Sequence, residues 1–189
     1  LQATAEICAV SEMMRILGFD TLKTKTMPIM FSGGKRLGFD VRVRSVRRLK
    51  NSLAAESREM RCNRLKGQSV KPIAAGSEVD AFLLEPMRSD PELIATKTLK
   101  LSTREEVYKS WLSNRFGEAA ELNQKNCRVA RYERRKVRRG GKVQDGPDVT
   151  FHGELIVKDP YRFSQLIVKG VGRHTAYGYG MLLLRPPGL

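Results

Sequence analysis

Eleven residues near the C-terminus, Gly170-Val-Gly-Arg-His-Thr-Ala-Tyr-Gly-Tyr-Gly180, constrain this chain more than any other stretch. Glycine at that density allows sharp turns and close backbone approach, so the segment reads as a loop rather than a helix or strand. Its flanks are regular. Asp159-Pro160 is a helix start, a capping carboxylate followed by proline at the first helical position, and Phe163, Leu166 and Ile167 form the apolar stripe before Gly170 ends the helix. Residues 181–184 read as an apolar final strand. Between Gly170, Gly172, Gly178 and Gly180 lie Arg173, His174, Thr175 and Tyr177. Main-chain N–H groups, a cation and aromatic faces in one loop suit a phosphodiester chain.

The charge of the chain points the same way. Formal net charge is +15 over 189 residues, which favours polyanionic partners. Residues 35–50 hold seven Lys/Arg against Asp40, a net +6, and residues 126–142 hold eight Lys/Arg against Glu133, a net +7. In the first stretch Leu37, Phe39, Val41 and Val43 alternate with Gly38, Asp40, Arg42 and Arg44, the pattern of a strand with one buried face. In the second, Arg134, Lys136 and Arg138 share one face, Arg135 and Arg139 the other, and Lys142 follows a Gly140-Gly141 turn. Read as strands one and three of one sheet, the two stretches are expected to lie side by side and merge into one basic stripe.

Other partner classes fit poorly. No apolar run approaches the ~20 residues that span a bilayer, and the basic clusters follow strand alternation, not the pattern of a membrane-surface helix. Cys8, Cys62 and Cys127 are too widely spaced for a metal motif and read as reduced thiols of a cytoplasmic protein. With only His152 and His174, no structural zinc site or other metal centre is expected, and no cofactor motif is present. Duplex DNA lacks an obvious recognition helix, whereas a basic hairpin beside a flexible loop suits an RNA stem and its single-stranded junction.

The remaining elements follow in order. Residues 1–34 suggest a strand, a short helix capped by Ser11 and a further strand, too little to close a core. Residues 51–78 read as a long loop, followed by a brief helix stopped near Pro86. Ser102-Thr-Arg-Glu105 is a capping-box signature for a helix whose stripe is Val107, Tyr108, Trp111, Leu112 and Phe116, with Trp111 as a core anchor. Residues 127–139 and 149–158 read as antiparallel strands, joined by Gly140-Gly141 and a polar loop ending at Gly146-Pro147. Residues 35–186 thus give the βαββαβ order of a ferredoxin-like α+β fold, with one sheet face left open.

GVGRHTAYGYGMLLLRPPGL resembles the glycine-rich signature of the repeat-associated RNA-binding proteins of CRISPR systems, and is most similar to the CasE family of type I-E Cascade. LGFDVRVRSVRRL, STREEVYKSWL and GPDVTFHGELIVKDPYRFSQLIVKGVG carry the similarity through the chain. The resemblance implies tandem ferredoxin-like domains, the N-terminal one incomplete as a remnant over residues 1–34 and the C-terminal, RNA-binding one over 35–189. It also implies a metal-independent endoribonuclease that cuts precursor CRISPR RNA at the 3′ base of the repeat hairpin. The product crRNA then stays bound as the protein joins other Cascade subunits.

The family's catalytic histidine belongs to the first helix of the N-terminal domain, which the resemblance places before Leu1, so no residue here inherits that role. His174 is a substitute candidate, although a loop histidine without catalytic duty is the plainer reading. Thr175 stands where relatives often carry Lys or Arg, which shifts charge stabilisation toward Arg173. Of Tyr177 and Tyr179, one is expected to stack on a base and the other to pack under the loop. His152 is expected to be packed or edge-exposed. Two alternatives share the charge: an RNA-binding subunit that does not cut, and a ribosome-associated protein, for which the glycine loop has no purpose.

Overall fold

The computed structural model describes residues 29–53, 73–88, 102–139 and 142–188. The elements expected within residues 1–28, and Cys8 and Cys62, lie outside the described residues.

The first strand, β1 (Arg36–Val43), buries Leu37, Phe39, Val41 and Val43 as its alternation requires. The expected single strand over 35–50 is nevertheless two. Arg44, Ser45 and Val46 are buried in succession, which no strand with one solvated face can sustain, and Val46 N–H donates back to the Arg44 carbonyl at 2.8 Å. The chain leaves the sheet there. β2 (Val46–Arg48) pairs instead with β3 (Glu78–Asp80) in a separate two-stranded ribbon, and Ala81 N–H ties that ribbon to the Ser45 carbonyl at 2.9 Å. Leu53 and Ile73 bridge the ends of the intervening segment, whose residues 54–72 lie outside the described residues.

Helix α1 (Ala81–Arg88) starts on Asp80, whose carboxylate accepts the Phe82 N–H at 2.9 Å. It ends at Arg88, close to Pro86 as expected, while Glu78–Asp80, expected to begin the helix, form β3. The fixed φ of proline fits a helix, and this close to the end it removes one hydrogen bond without stopping the turn. Helix α2 (Arg104–Phe116) carries its capping box one residue later than the signature suggests. Thr103 Oγ1 accepts the Glu106 N–H at 3.3 Å and Glu106 accepts the Thr103 N–H at 2.7 Å, while Ser102 donates to Glu85 at 3.0 Å.

The chain continues through β4 (Ala120–Leu122), β5 (Arg128–Arg139), β6 (Lys142–Val157), helix α3 (Pro160–Lys169) and β7 (Leu182–Arg185). Asp159 caps α3 through the N–H groups of Tyr161 and Arg162 at 2.9 and 3.0 Å. The sheet runs β4-β6-β1-β7, all antiparallel, with β5 also on β6. β1, α2, β4 with β5, β6, α3 and β7 therefore reproduce βαββαβ, and the α+β ferredoxin-like reading holds. The side-by-side arrangement of the two basic stretches does not. β5 pairs with β6, so β6 lies between β5 and β1.

Gly146-Pro147, expected in a loop, lies inside β6 opposite Arg134 and Arg135. β1 pairs with β6 only over residues 149–156, so residues 142–148 have β5 as their single partner and form an arm beyond the sheet. A proline is admissible there because such a strand has an unpaired side.

Helices α2 and α3 pack on one sheet face. Tyr108, Trp111, Leu112 and Phe116 from α2 and Phe163 from α3 meet Leu37, Phe39, Val41 and Val43 of β1 and Val149, Phe151, Leu155 and Val157 of β6. Phe31 adds an edge-to-face contact to Phe163 at 5.7 Å. The opposite face is polar and is partly crossed by the C-terminal residues: Gly188 N–H donates to Glu154 at 3.0 Å, and a Cβ on Gly38 would meet the Pro186 carbonyl at 2.8 Å. Among the described residues no helix is long and apolar enough to cross a membrane.

Candidate nucleic-acid interface

The glycine loop is closed by its own backbone. Val171, fully buried, donates its N–H to the Gly180 carbonyl at 2.8 Å, and Gly180 N–H donates to the Arg42 carbonyl at 2.7 Å. Gly170, Gly172, Gly178 and Gly180 all adopt φ near +80°. At Gly180 the requirement is double, because a Cβ there would collide with the Val171 backbone. The loop rests on the core: a Cβ on Gly172 would lie 3.0 Å from the Trp111 ring, whose Nε1–H donates to the Val46 carbonyl at 3.0 Å. Trp111 is thus the expected core anchor, and it also seats the loop.

Its tip spans Arg173 to Gly178, with a short 3₁₀ turn at Thr175–Tyr177. The Thr175 methyl turns inward against Gly170 and Gly180, while Tyr177 is exposed. Two side chains are held from outside the loop. Arg173 Nε donates to Glu78 Oε1 at 2.6 Å, and His174 Nε2 lies 2.7 Å from Glu78 Oε2. His174 sits at φ 66°, the left-handed region, in which it is alone among the described non-glycine residues. Burial disfavours the Glu78 carboxylate, but His174 and Arg173 outweigh it and hold its carboxyl below the usual range.

On the other side of the loop, Asp148 of β6 gathers three elements. Arg42 of β1 grips it with Nε and Nη2 at 2.9 and 2.5 Å, Arg135 of β5 reaches it at 3.2 Å, and Tyr179 donates its hydroxyl at 3.2 Å. Arg42 lies over the Tyr179 ring at 5.1 Å. Asp148 is 5% exposed; burial works against its charge, yet Arg42 and Tyr179 keep its carboxyl depressed. The Arg42 guanidinium is correspondingly held more basic by that hydrogen bond, and the Tyr179 hydroxyl is made less acidic by burial and by Asp148.

The β5–β6 arm carries the second basic stretch. Arg134 pairs with Asp145 at 2.9 Å, Arg131 and Arg135 share Glu133, and Lys136 is exposed. Backbone register places Arg138 and Arg139 opposite Val143 and Lys142 at the arm's end; the side chains of Arg138, Arg139 and Lys142 lie outside the described residues. Arg44 is 5% exposed, with its guanidinium against Gly146, so it braces the root of the arm. A third group of cations adjoins the loop: burial depresses Arg115 basicity, and the charges of Arg47 and Arg173 add to the effect. Among the described residues no group of three or more His, Cys, Asp or Glu side chains could hold a metal ion.

A family model described as "CRISPR associated protein" matches residues 3–186. The chain belongs to the CRISPR-associated protein family. Its fold is similar to that of a CRISPR endoribonuclease Cse3 solved bound to 19 nt RNA, with TM-score 0.56 and 23% identity, covering 87% of this chain and 62% of that one. It is similar too to Cse3 from Thermus thermophilus bound to an RNA representing a pre-cleavage complex, with TM-score 0.55 and 23% identity, covering 86% and 59%. The chain therefore spans about 60% of the length of these solved proteins. No curated protein matches it.

In this CRISPR-associated protein the structure brings Arg42, Arg135 and the glycine loop together around Asp148, and leaves Arg134 and Lys136 on the other face of the arm, where Arg134 pairs with Asp145. Of the two loop tyrosines, Tyr179 is the one packed and Tyr177 the one exposed. His152 is intermediate in exposure and lies 3.8 Å from Asp40. Sequence reasoning missed Glu78 and Asp148. Neither carries a local signal, since Glu78 stands beside Asp80 and Asp148 beside Asp145, and only the folded positions of β3 and β6 reveal what each holds.

Proposed function

We propose that this chain binds the hairpin of a CRISPR repeat RNA, with the β5–β6 arm along the stem phosphates and the glycine loop at the stem's base. The observation that carries this reading is the convergence on Asp148 of Arg42 from β1, Arg135 from the arm and Tyr179 from the loop. In the whole protein the bound RNA is cut without a metal. The ribose 2′-oxygen attacks the adjacent phosphorus and the 5′-oxygen leaves with a proton, giving a 2′,3′-cyclic phosphate and a 5′-hydroxyl. In this reading Arg173 supplies the positive charge that stabilises the phosphorane, and the product crRNA stays with the protein in Cascade.

A second reading is binding without cutting. It is favoured by His174, whose Nε2 is engaged by Glu78 and whose side chain is 14% exposed, so that it faces Glu78 more than solvent. The test is incubation with a repeat-hairpin RNA in EDTA, scored for retention on a native gel and for a new 5′-hydroxyl product on a denaturing gel. Retention with product supports the ribonuclease, retention alone the binding subunit, and no retention overturns both. Product lost in His174→Ala would move the proton transfer to the loop.

A further inference from the structure

We propose that the Arg42 guanidinium, which lies over the Tyr179 ring and is anchored at one edge by Asp148, is a stacking platform for one unpaired nucleobase of the bound RNA. The inference rests on the RNA-binding reading above and assigns a base-recognition site within that surface. An arginine that grips phosphate does so with its forked edge, two N–H groups side by side. In Arg42 the edge formed by Nε and Nη2 is already used, at 2.9 and 2.5 Å from the two Asp148 oxygens. One face is also covered, by the Tyr179 ring at 5.1 Å.

The side chain nevertheless remains 46% exposed. Asp148 takes the Nε–Nη2 edge and the Tyr179 ring lies on one face, which leaves the opposite face for stacking and the end-on Nη1–Nη2 pair for an acceptor of the same nucleotide. A flat, immobilised cation with an open face is what an unstacked base binds, and arginine planes serve RNA recognition in this way.

The setting fits a single nucleotide rather than a duplex. Gly180 N–H is fixed to the Arg42 carbonyl at 2.7 Å, so the platform lies at the inner end of the loop, and Arg135, 3.2 Å from Asp148, marks the root of the arm. A stem lying along the arm would deliver its first unpaired nucleotide here. Arg135, itself 46% exposed, supplies a charge for that nucleotide's phosphate.

The experiment compares a blunt stem-loop RNA with the same stem carrying unpaired flanking nucleotides, each replaced in turn by 2-aminopurine. Affinity is read by anisotropy and stacking by quenching. The wild-type chain should bind the flanked RNA about tenfold more tightly, the order of one stacked base, and quench one position selectively. Arg42→Lys keeps the charge and loses the plane, so the flanked-to-blunt ratio should fall toward one and the quenching disappear. Tyr179→Leu, which removes the supporting ring, should do the same, with far-ultraviolet circular dichroism confirming that both variants fold.

If Arg42→Lys retains ratio and quenching, Arg42 acts as a point charge and the platform is overturned. If the wild type binds both RNAs equally without quenching, the platform alone fails. If it binds neither, the RNA-binding reading falls and takes the platform with it.

Discussion

Gly180 donates its backbone N–H to the carbonyl of Arg42 at 2.7 Å, which fixes the end of the glycine loop to the central strand β1. The bond forms on a residue at φ +80° whose Cβ position is filled by the Val171 backbone. Gly178 has a similar φ, +78°, but open space around it. The two glycines therefore separate conformational cost from steric cost. Gly178→Ala should lower unfolding free energy by about 1 kcal/mol, the cost of a left-handed alanine. Gly180→Ala should cost more than about 2 kcal/mol, because the loop must also move off β1. Urea unfolding of the two variants measures the difference, and equal midpoints would refute it.

Glu78 couples the loop tip to the β2–β3 ribbon through Arg173 and His174. Its carboxyl is depressed in the folded chain, since these partners outweigh the burial that opposes its charge. The folded state thus binds the Glu78 proton less readily than the unfolded state. The stabilisation is fully present above the ordinary glutamate value of 4.5 and is lost as pH falls through the lower, folded value. Glu78→Gln should flatten that part of the acid limb in a stability-against-pH series, leaving the neutral region nearly parallel to wild type.

Tyr108, fully buried on α2, donates its hydroxyl between the two Asp80 oxygens at 2.9 and 3.0 Å, and Arg104 stands 3.7 Å from the same carboxylate. Arg104 is itself flanked by the rings of Phe82 and Tyr132, each at 4.3 Å. Burial raises the Asp80 carboxyl above its usual range despite these partners. Tyr108→Phe removes one donor from a buried acid and should destabilise by about 1–3 kcal/mol. Asp80→Asn removes the buried charge while keeping an acceptor, and should cost less. Thermal midpoints of the two variants give the ordering.

The legible parts of this fold are those whose signals are local. Asp159-Pro160, the stripe through Phe163 and the glycines after it lie within a few turns of each other, so α3 and its loop are read correctly. The capping box of α2 is off by one residue because Ser102 and Thr103 are both capping residues and only packing selects between them. β2 and β3 escape because strands of three residues carry almost no periodicity, and their pairing joins residue 46 to residue 80. Asp148 and Glu78 escape for the same reason. What distinguishes each is the identity of partners brought from distant elements, Arg42 being 106 residues away from Asp148.

The charge on the arm is partly cancelled in the free protein, and this sets the last prediction. Arg134 is bound through Nε to both Asp145 oxygens at 2.9 and 3.0 Å, on an exposed surface where such a pair adds little stability. A phosphate that meets Arg134 must displace Asp145. Asp145→Asn should therefore tighten hairpin binding severalfold at low salt while leaving the melting temperature nearly unchanged. Arg134→Ala, Lys136→Ala and Arg138→Ala combined should weaken binding and reduce the slope of log affinity against log salt, by about 0.7 to 0.9 for each phosphate that is no longer neutralised. Filter binding across a salt series measures both. If the triple variant keeps the wild-type slope, the arm does not carry the stem, and the main phosphate-binding cations must be sought in Arg47, Arg115 and Arg173 beside the loop.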